Sequence, residues 1–322
     1  MAEEVLPGIH KIVLPLPRNP LRSINSYLIE GNNRNLIVDT GMNRPECRDV
    51  MDSELNELEA NLSKTDVFVT HLHADHLGLA PHISGGRTKV FMGRKDVEEI
   101  NESDYWRDML SYAIGNGFPA VDPEAAIKKH PGYKYGPLGP MDMNPVNGGE
   151  IFEVGNYRLR AIHTPGHSKG HMCLYDENER ILISGDHILG DITPNISLWQ
   201  GNEDPLSDYI SSLQMVKKLE VGVTLPGHRS LIKDHSKRID ELIRHHLQRA
   251  EEVLDIIGGD KMNAFEIASG MKWELTIRRF EEFPIMQKWF ALGEALAHIR
   301  FLENHDRIQT RMKNGTYLYS AR

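Results

Sequence analysis

Short apolar runs, cut by Gly, Pro and charged residues, dominate residues 8–93. They predict strands at Ile9–Leu16, Ser26–Glu30, Asn35–Asp39, Asp66–Thr70 and Lys89–Met92, with a helix over Glu46–Leu62 between the third and fourth. A second series follows at Ile151–Val154, Tyr157–His163, Met172–Tyr175, Ile181–Ser184 and Gly222–Leu225, with Asp176–Arg180 as a polar hairpin connection. Leu206–Leu219 has helical spacing. Two β-rich halves, each with helices, predict an α/β architecture of stacked sheets covered by helices.

Between the halves the pattern changes. Lys95–Phe118 reads as helical and carries Tyr105 and Trp106, while Lys129–Gly149 is rich in Pro and Gly and reads as a long loop. Loops of that length in compact domains are often lids or binding elements. Asp234–Ile257 has the apolar stripe of a long amphipathic helix, ended by Gly258-Gly259. Beyond it Asn263 and Glu266 form a capping-box pattern, Met286–Leu302 reads as a second helix, and Asn314-Gly315 lies between two short strand candidates. The expected division is a domain over residues 1–258 and a small α+β unit over 259–322.

Composition narrows the class. The chain has 322 residues, 40% hydrophobic and 26% charged, which is ordinary for a globular protein. The N-terminus lacks the basic start and apolar core of a signal peptide, and no apolar run is long enough to suggest a membrane span. With two cysteines only, a disulfide framework is not expected, and a cytoplasmic setting is the simpler reading. A formal charge of −9 argues against nucleic acid as a partner of the whole surface.

The chemistry concentrates at Thr70-His71-Leu72-His73-Ala74-Asp75-His76, where three imidazoles and a carboxylate follow an apolar run. Imidazole suits zinc and iron, and a nearby carboxylate adds a harder ligand. His167, Asp186 and His228 each lie just beyond an apolar run, where loops present functional groups on a rigid base. Glycines beside them allow close backbone approach.

These segments, Thr70–His76, His163–His171, Gly185-Asp186 and Pro226-Gly227-His228, resemble the metallo-β-lactamase-fold hydrolases in spacing, order and strand context. The resemblance covers roughly residues 8–258. It implies an αββα sandwich with a two-metal site at one edge of the sheets. His71, His73 and His167 would hold one metal, Asp75, His76 and His228 the other, with Asp186 bridging. Two Zn2+ per chain is the expected cofactor, and iron or manganese is compatible with the same ligands. A hydroxide bridging two such ions is the expected nucleophile, with Asp75 orienting it or shuttling its proton. Asp39 could accept a proton from the free nitrogen of a ligating His, an ordinary strand-end turn being the alternative. The family pattern places His163 and His171 near the site rather than on metal.

Further sequence features bear on the branch and the substrate. The zinc β-lactamases of that superfamily typically carry Cys where this chain has Asp186. Segments Gly185–Ile188, Thr193–Trp199 and Asp204–Leu206, with Tyr209 and Leu213, look like a lactamase-β-2-like, glyoxalase II-related branch that carries a C-terminal winged-helix domain. Residues 259–322 fit that description more loosely. Two functions follow. One is hydrolysis of an acyl bond (thioester, ester or lactone) of a small molecule, with Tyr105, Trp106, Leu198 and Trp199 lining its pocket. The alternative is an endoribonuclease cleaving single-stranded RNA. Residues 259–322 hold ten Lys and Arg against eight Asp and Glu, which is barely basic. On charge the C-terminal unit reads as a structural cap, a lid or a homodimer surface, and nucleic acid is not favoured.

Overall fold

A computed structural model describes residues 2–102, 104–119, 127–137, 141–199, 203–273, 277 and 279–322. Position 103 of the expected helix 95–118 and positions 138–140 of the expected loop 129–149 lie outside the described residues.

Twelve of the described strands build two sheets. The first runs β1 (Glu3–Leu6), β2 (Ile9–Pro15), β3 (Ser23–Ile29), β4 (Asn35–Val38), β5 (Thr65–Val69), β6 (Val90–Gly93) and β7 (Met143–Val146), each beside the next. Pairing is antiparallel from β1 to β4 and parallel from β4 to β7. The second sheet has the order β12 (Val223–Pro226), β11 (Ile181–Gly185), β10 (Met172–Asp176), β9 (Tyr157–His163), β8 (Ile151–Val154).

Strand alternation explains the core. Leu36, Val38 and Phe68 join Leu159, Leu174, Ile183 and Leu225 of the second sheet in one buried cluster. Their neighbours Ile37, Val67 and Val69 point to the opposite face and meet Cys47, Met51 and Leu55 of helix α1 (Pro45–Glu57). Both faces of the central strands are therefore covered, which is why they read in sequence as unbroken apolar runs rather than alternating ones. This is the mixed α/β sandwich expected for the metallo-β-lactamase fold.

Two expectations are corrected in detail. The segment between the halves is two helices rather than one, α4 (Arg94–Ile100) and α5 (Tyr105–Gly115). Asn101 ends α4, its side chain donating to the Val97 carbonyl at 2.8 Å. The supposed long loop contains helix α6 (Pro131–Tyr135) and strand β7, which holds Pro145 at the edge of the first sheet, where a missing N–H is tolerated. Two short helices after His73, α2 (Ala74–Leu77) and α3 (Ala80–Ser84), carry no periodicity long enough to read in sequence.

The chain forms two compact units: residues 1–101, 131–194 and 212–239 make the first, and 102–130, 195–211 and 240–322 the second. The second thus draws on a wider set of segments than 259–322. Helices α7 (Pro205–Val216) and α8 (His235–Ile257) fall across the divisions. Within the second unit, Asn263 and Glu266 make both hydrogen bonds of the capping box at the start of α9 (Ala264–Gly270). Helix α10 (Ile285–Asn304) precedes a hairpin of β13 (Ile308–Lys313) and β14 (Thr316–Ala321). Its turn residues Asn314 and Gly315 both have positive φ, 51° and 80°, as a tight hairpin turn requires. Among the described residues, no helix is long and apolar enough to cross a membrane.

Candidate metal centre

The clustered histidines and aspartates stand on loops that leave the strands of the first unit. His71 follows β5 directly, His167 and His171 lie between β9 and β10, Asp186 follows β11, and His228 follows β12. His71, Asp75, His76, Asp186 and His228 are all buried. Their ligand atoms gather in three overlapping groups, each within 4.8 Å: His71, His73 and His167; His71, His76 and Asp186; Asp75, His76 and His228. All seven residues expected from the sequence are thus brought together.

Local backbone geometry makes this approach feasible. Gly227 lies so close to the site that a Cβ there would sit 2.5 Å from Asp186 Oδ1 and 2.8 Å from His76 Cε1. Gly185, at φ 48°, would place a Cβ 2.7 Å from Thr70 Oγ1. Any side chain at either position would push the ligand loops apart.

Hydrogen bonds fix the tautomers. His76 Nδ1 lies 2.7 Å from Asp39 Oδ2, and His228 Nδ1 lies 2.6 Å from the Ser23 carbonyl oxygen. Both partners accept, so each Nδ1 carries a proton, and each Nε2 is the atom left to a second proton or to a metal. Neither Nε2 has a hydrogen-bond partner among the described residues, and neither does Asp186 Oδ1. Yet His76 Nε2 faces Asp186 Oδ1 at 3.5 Å, and His228 Nε2 faces Asp186 Oδ2 at 3.4 Å and Asp75 Oδ2 at 3.5 Å. His71 Nε2 and His73 Nδ1 approach each other to 2.9 Å. Buried acceptors aimed at one another are costly unless a cation or proton lies between them. Nitrogen and carboxylate donors in this arrangement fit a divalent metal.

The electrostatics agree. Burial alone would depress His76, but Asp39 and Asp186 reverse the effect and hold it well above the ordinary imidazole range. Burial likewise opposes the charged forms of His228 and Asp186, but mutual attraction raises the one and lowers the other. His71 is pushed well down, first by burial and then by the neighbouring imidazoles His76, His73 and His167. A cluster that draws positive charge to some of its nitrogens and excludes protons from another is one that a metal can occupy in their stead.

The surrounding residues divide. Asp39 adopts a left-handed backbone, φ 60°, and its carboxylate accepts from the Thr70 N–H at 2.8 Å and from the Thr70 hydroxyl as well as from His76. Asp39 thus stands just after β4 and also meets His76. His171 is buried, its ring 5.1 Å from that of His71, with Nδ1 on the Thr164 hydroxyl at 2.8 Å. His163 is exposed instead, its Nε2 bonded to the Lys169 carbonyl at 2.8 Å. Tyr105, Trp106, Leu198 and Trp199 all belong to the second unit. There Leu198 is buried, and Trp199 stacks on Trp289 with ring centroids 4.4 Å apart.

Residues that the sequence did not single out hold the His228 loop. Asn25 Nδ2 donates to the carbonyls of Pro226 and Arg229, both at 2.9 Å, and Tyr27 Oη donates to Pro226 at 2.8 Å. Asn25 is a buried polar side chain inside an apolar strand, and that mismatch was the available signal.

The fold and this centre together define an α/β sandwich with a candidate metal site at the ends of its strands. Residues 19–228 match the model of the metallo-beta-lactamase superfamily, a span that holds all seven clustered residues. Two solved structures are similar over nearly their whole length. A metallo-beta-lactamase family protein from Thermus thermophilus shares 28% identity at a TM-score of 0.80, covering 99% of this chain and 100% of that one. A beta-lactamase domain protein from Burkholderia ambifaria shares 27% identity at a TM-score of 0.84, covering 100% and 94%. Among curated proteins, an atrochrysone carboxyl ACP thioesterase from Cryptosporiopsis sp. is 26% identical over 86% of this chain and 71% of its own length. Two further relatives of that description, from Aspergillus fumigatus and Emericella nidulans, are matched over only 51% and 64% of their length. The chain belongs to the metallo-beta-lactamase superfamily. It is a hydrolase with the donor set for a metal cofactor.

Proposed function

We propose that this chain is a metal-dependent thioesterase acting on the acyl thioester of a small molecule or of a carrier-bound acyl chain. The observation that carries the metal part is the pair of buried Nε2 atoms on His76 and His228, aimed at the carboxylates of Asp186 and Asp75. The preference for a thioester over other acyl bonds is supported by the names of the curated relatives.

In this reading His71, His73 and His167 would hold one Zn2+, and Asp75, His76 and His228 a second, with Asp186 available to both. Two divalent cations so placed would supply a Lewis acid for the carbonyl and a water acidified toward neutral pH. The chain's own residues do the rest. Asp39 and Ser23 keep Nδ1 protonated on His76 and His228, so that each ring offers Nε2 inward. Asp75, on the short helix α2 and facing His228, orients the attacking water and carries its proton toward the departing thiolate. Residues 259–322, built of α9, α10 and the hairpin, are proposed as a winged-helix-like domain that follows the 1–258 hydrolase domain.

The test is hydrolysis of acyl-CoA and acyl-pantetheine thioesters, followed by thiol release, on protein stripped with a chelator and reloaded with Zn2+. Activity should appear with metal and fall by about 10²-fold or more in Asp75→Asn. Equal rates in stripped and reloaded protein would sink the metal part. Faster cleavage of single-stranded RNA than of any acyl substrate would replace the thioesterase part with the nuclease alternative.

A further inference from the structure

Asp96 is a fully buried carboxylate in helix α4, outside the group of seven. Its Oδ2 accepts from the Leu72 backbone N–H at 2.9 Å and from the Ser168 hydroxyl at 2.7 Å, and its Oδ1 accepts from the Gly170 N–H at 2.5 Å. These donors come from two separate loops. Leu72 lies between His71 and His73, and Ser168 directly follows His167. We infer that Asp96 is a positioning residue for the first ligand group, tying the loop of His71 and His73 to the loop of His167 through one carboxylate. The inference rests on the metal reading proposed above.

Two features favour a positioning role over incidental burial. The first is that the backbone is built to bring the loop onto the start of α4. A Cβ on Gly93 would sit 1.8 Å from the Gly170 carbonyl oxygen, and one on Gly170 would sit 2.3 Å from the Asp96 nitrogen. Flanking them, Lys169 Nζ lies 3.5 Å from Glu99 Oε2, one helical turn along α4. The second feature is selectivity. All three hydrogen bonds go to the segments that carry His71, His73 and His167, whereas Asp75 and His76 stand on α2, and His228 is held from β3 by Ser23 and Asn25. Burying a carboxylate costs free energy that an apolar residue would not, so three converging donors mark a site where geometry is being held.

The experiment measures metal dissociation constants by chelator competition, with His73→Ala and His76→Ala variants assigning the two binding steps. Asp96→Asn sets an amide N–H against at least one of the three donors. It should weaken the step abolished by His73→Ala about tenfold or more, while the step abolished by His76→Ala changes less than about twofold. Ser168→Ala removes one donor from a half-buried position and keeps the test open if Asp96→Asn does not fold. It should weaken the same step about threefold. Equal weakening of both steps, or of neither, overturns the inference and leaves the metal reading standing. Wild-type protein that takes up no metal overturns the metal reading, and this inference with it.

Discussion

The Nδ1 atom of His228 lies 2.6 Å from the carbonyl oxygen of Ser23, the first residue of β3. A carbonyl can only accept, so this bond sets the tautomer of a ring more than two hundred positions away in sequence. It also makes the position of His228 depend on β3 of the first sheet, although its own strand, β12, belongs to the second. A site on the ends of two sheets needs such ties, because each sheet alone fixes only half of the donors.

Asn25 is the next residue of that tie. Its amide serves the carbonyls of Pro226 and Arg229, both flanking His228. Asn25→Ala leaves the Arg229 carbonyl without its side-chain donor and the Pro226 carbonyl with Tyr27 Oη alone, which should cost about 1–3 kcal/mol. The expected result is a lower thermal unfolding midpoint together with weaker metal retention during dialysis. An unchanged midpoint and unchanged metal content would show that the loop is held without it.

Asp39 makes a sharper prediction because an isosteric change is available. Its two oxygens serve only donors: the Thr70 N–H, the Thr70 hydroxyl and His76 Nδ1. An Asn amide must set its NH2 against one of them or force His76 to move its proton to Nε2, where the metal would bind. Asp39→Asn should therefore weaken metal binding by about 10–100-fold with little change in circular dichroism. Chelator competition measures this directly, and wild-type affinity in the variant would exclude the role.

How much of this was legible in the sequence follows from what each feature depends on. Strands β2–β6 and β8–β12 could be read because their cores are apolar runs, and the seven clustered residues because they sit in short motifs beside those runs. Strand β7 could not, because Asn144 and Pro145 interrupt it. The edge strand β1 (Glu3–Leu6) could not, because it opens on two exposed glutamates and none of its residues is fully buried. Asn25 and Ser23 were hidden for a different reason. Their role comes from β3 meeting the loop after β12, a pairing some two hundred residues apart that no local window contains. His163 shows the reverse limit: it shares a motif with His167, yet its ring turns outward to the Lys169 carbonyl.

Gly227 offers a test of crowding rather than hydrogen bonding. A methyl group there would stand 2.5 Å from Asp186 Oδ1 and 2.8 Å from His76 Cε1. Both are held side chains, so Gly227→Ala must displace one of them or the loop. Overpacking of this kind typically costs about 1–3 kcal/mol. The variant should fold with a reduced midpoint and lose most of the proposed thioesterase activity. Elemental analysis is the deciding measurement, because full metal occupancy together with wild-type kcat would show that the loop yields without cost.

The second unit gives the clearest dependence on pH. His298 is buried, donates Nδ1–H to the Glu294 carbonyl at 2.8 Å, and meets His246 Nδ1 through its Nε2 at 3.3 Å. Burial depresses it to about 4. Between the ordinary value of 6.5 and that lowered value the unfolded chain takes up a proton that the folded chain refuses. Stability from this group is thus complete above about pH 6.5, falls as the pH drops, and levels off below about 4. Between about pH 7 and pH 5 the loss should be about 2 kcal/mol. His298→Gln keeps one donor and one acceptor but cannot titrate, so its stability should fall less than the wild type's by that amount over the same interval. Denaturant unfolding of both proteins, saturated with metal to hold the clustered histidines of the first unit constant, measures the difference. Parallel pH profiles would mean that His298 takes up its proton as readily in the folded chain as in the unfolded one.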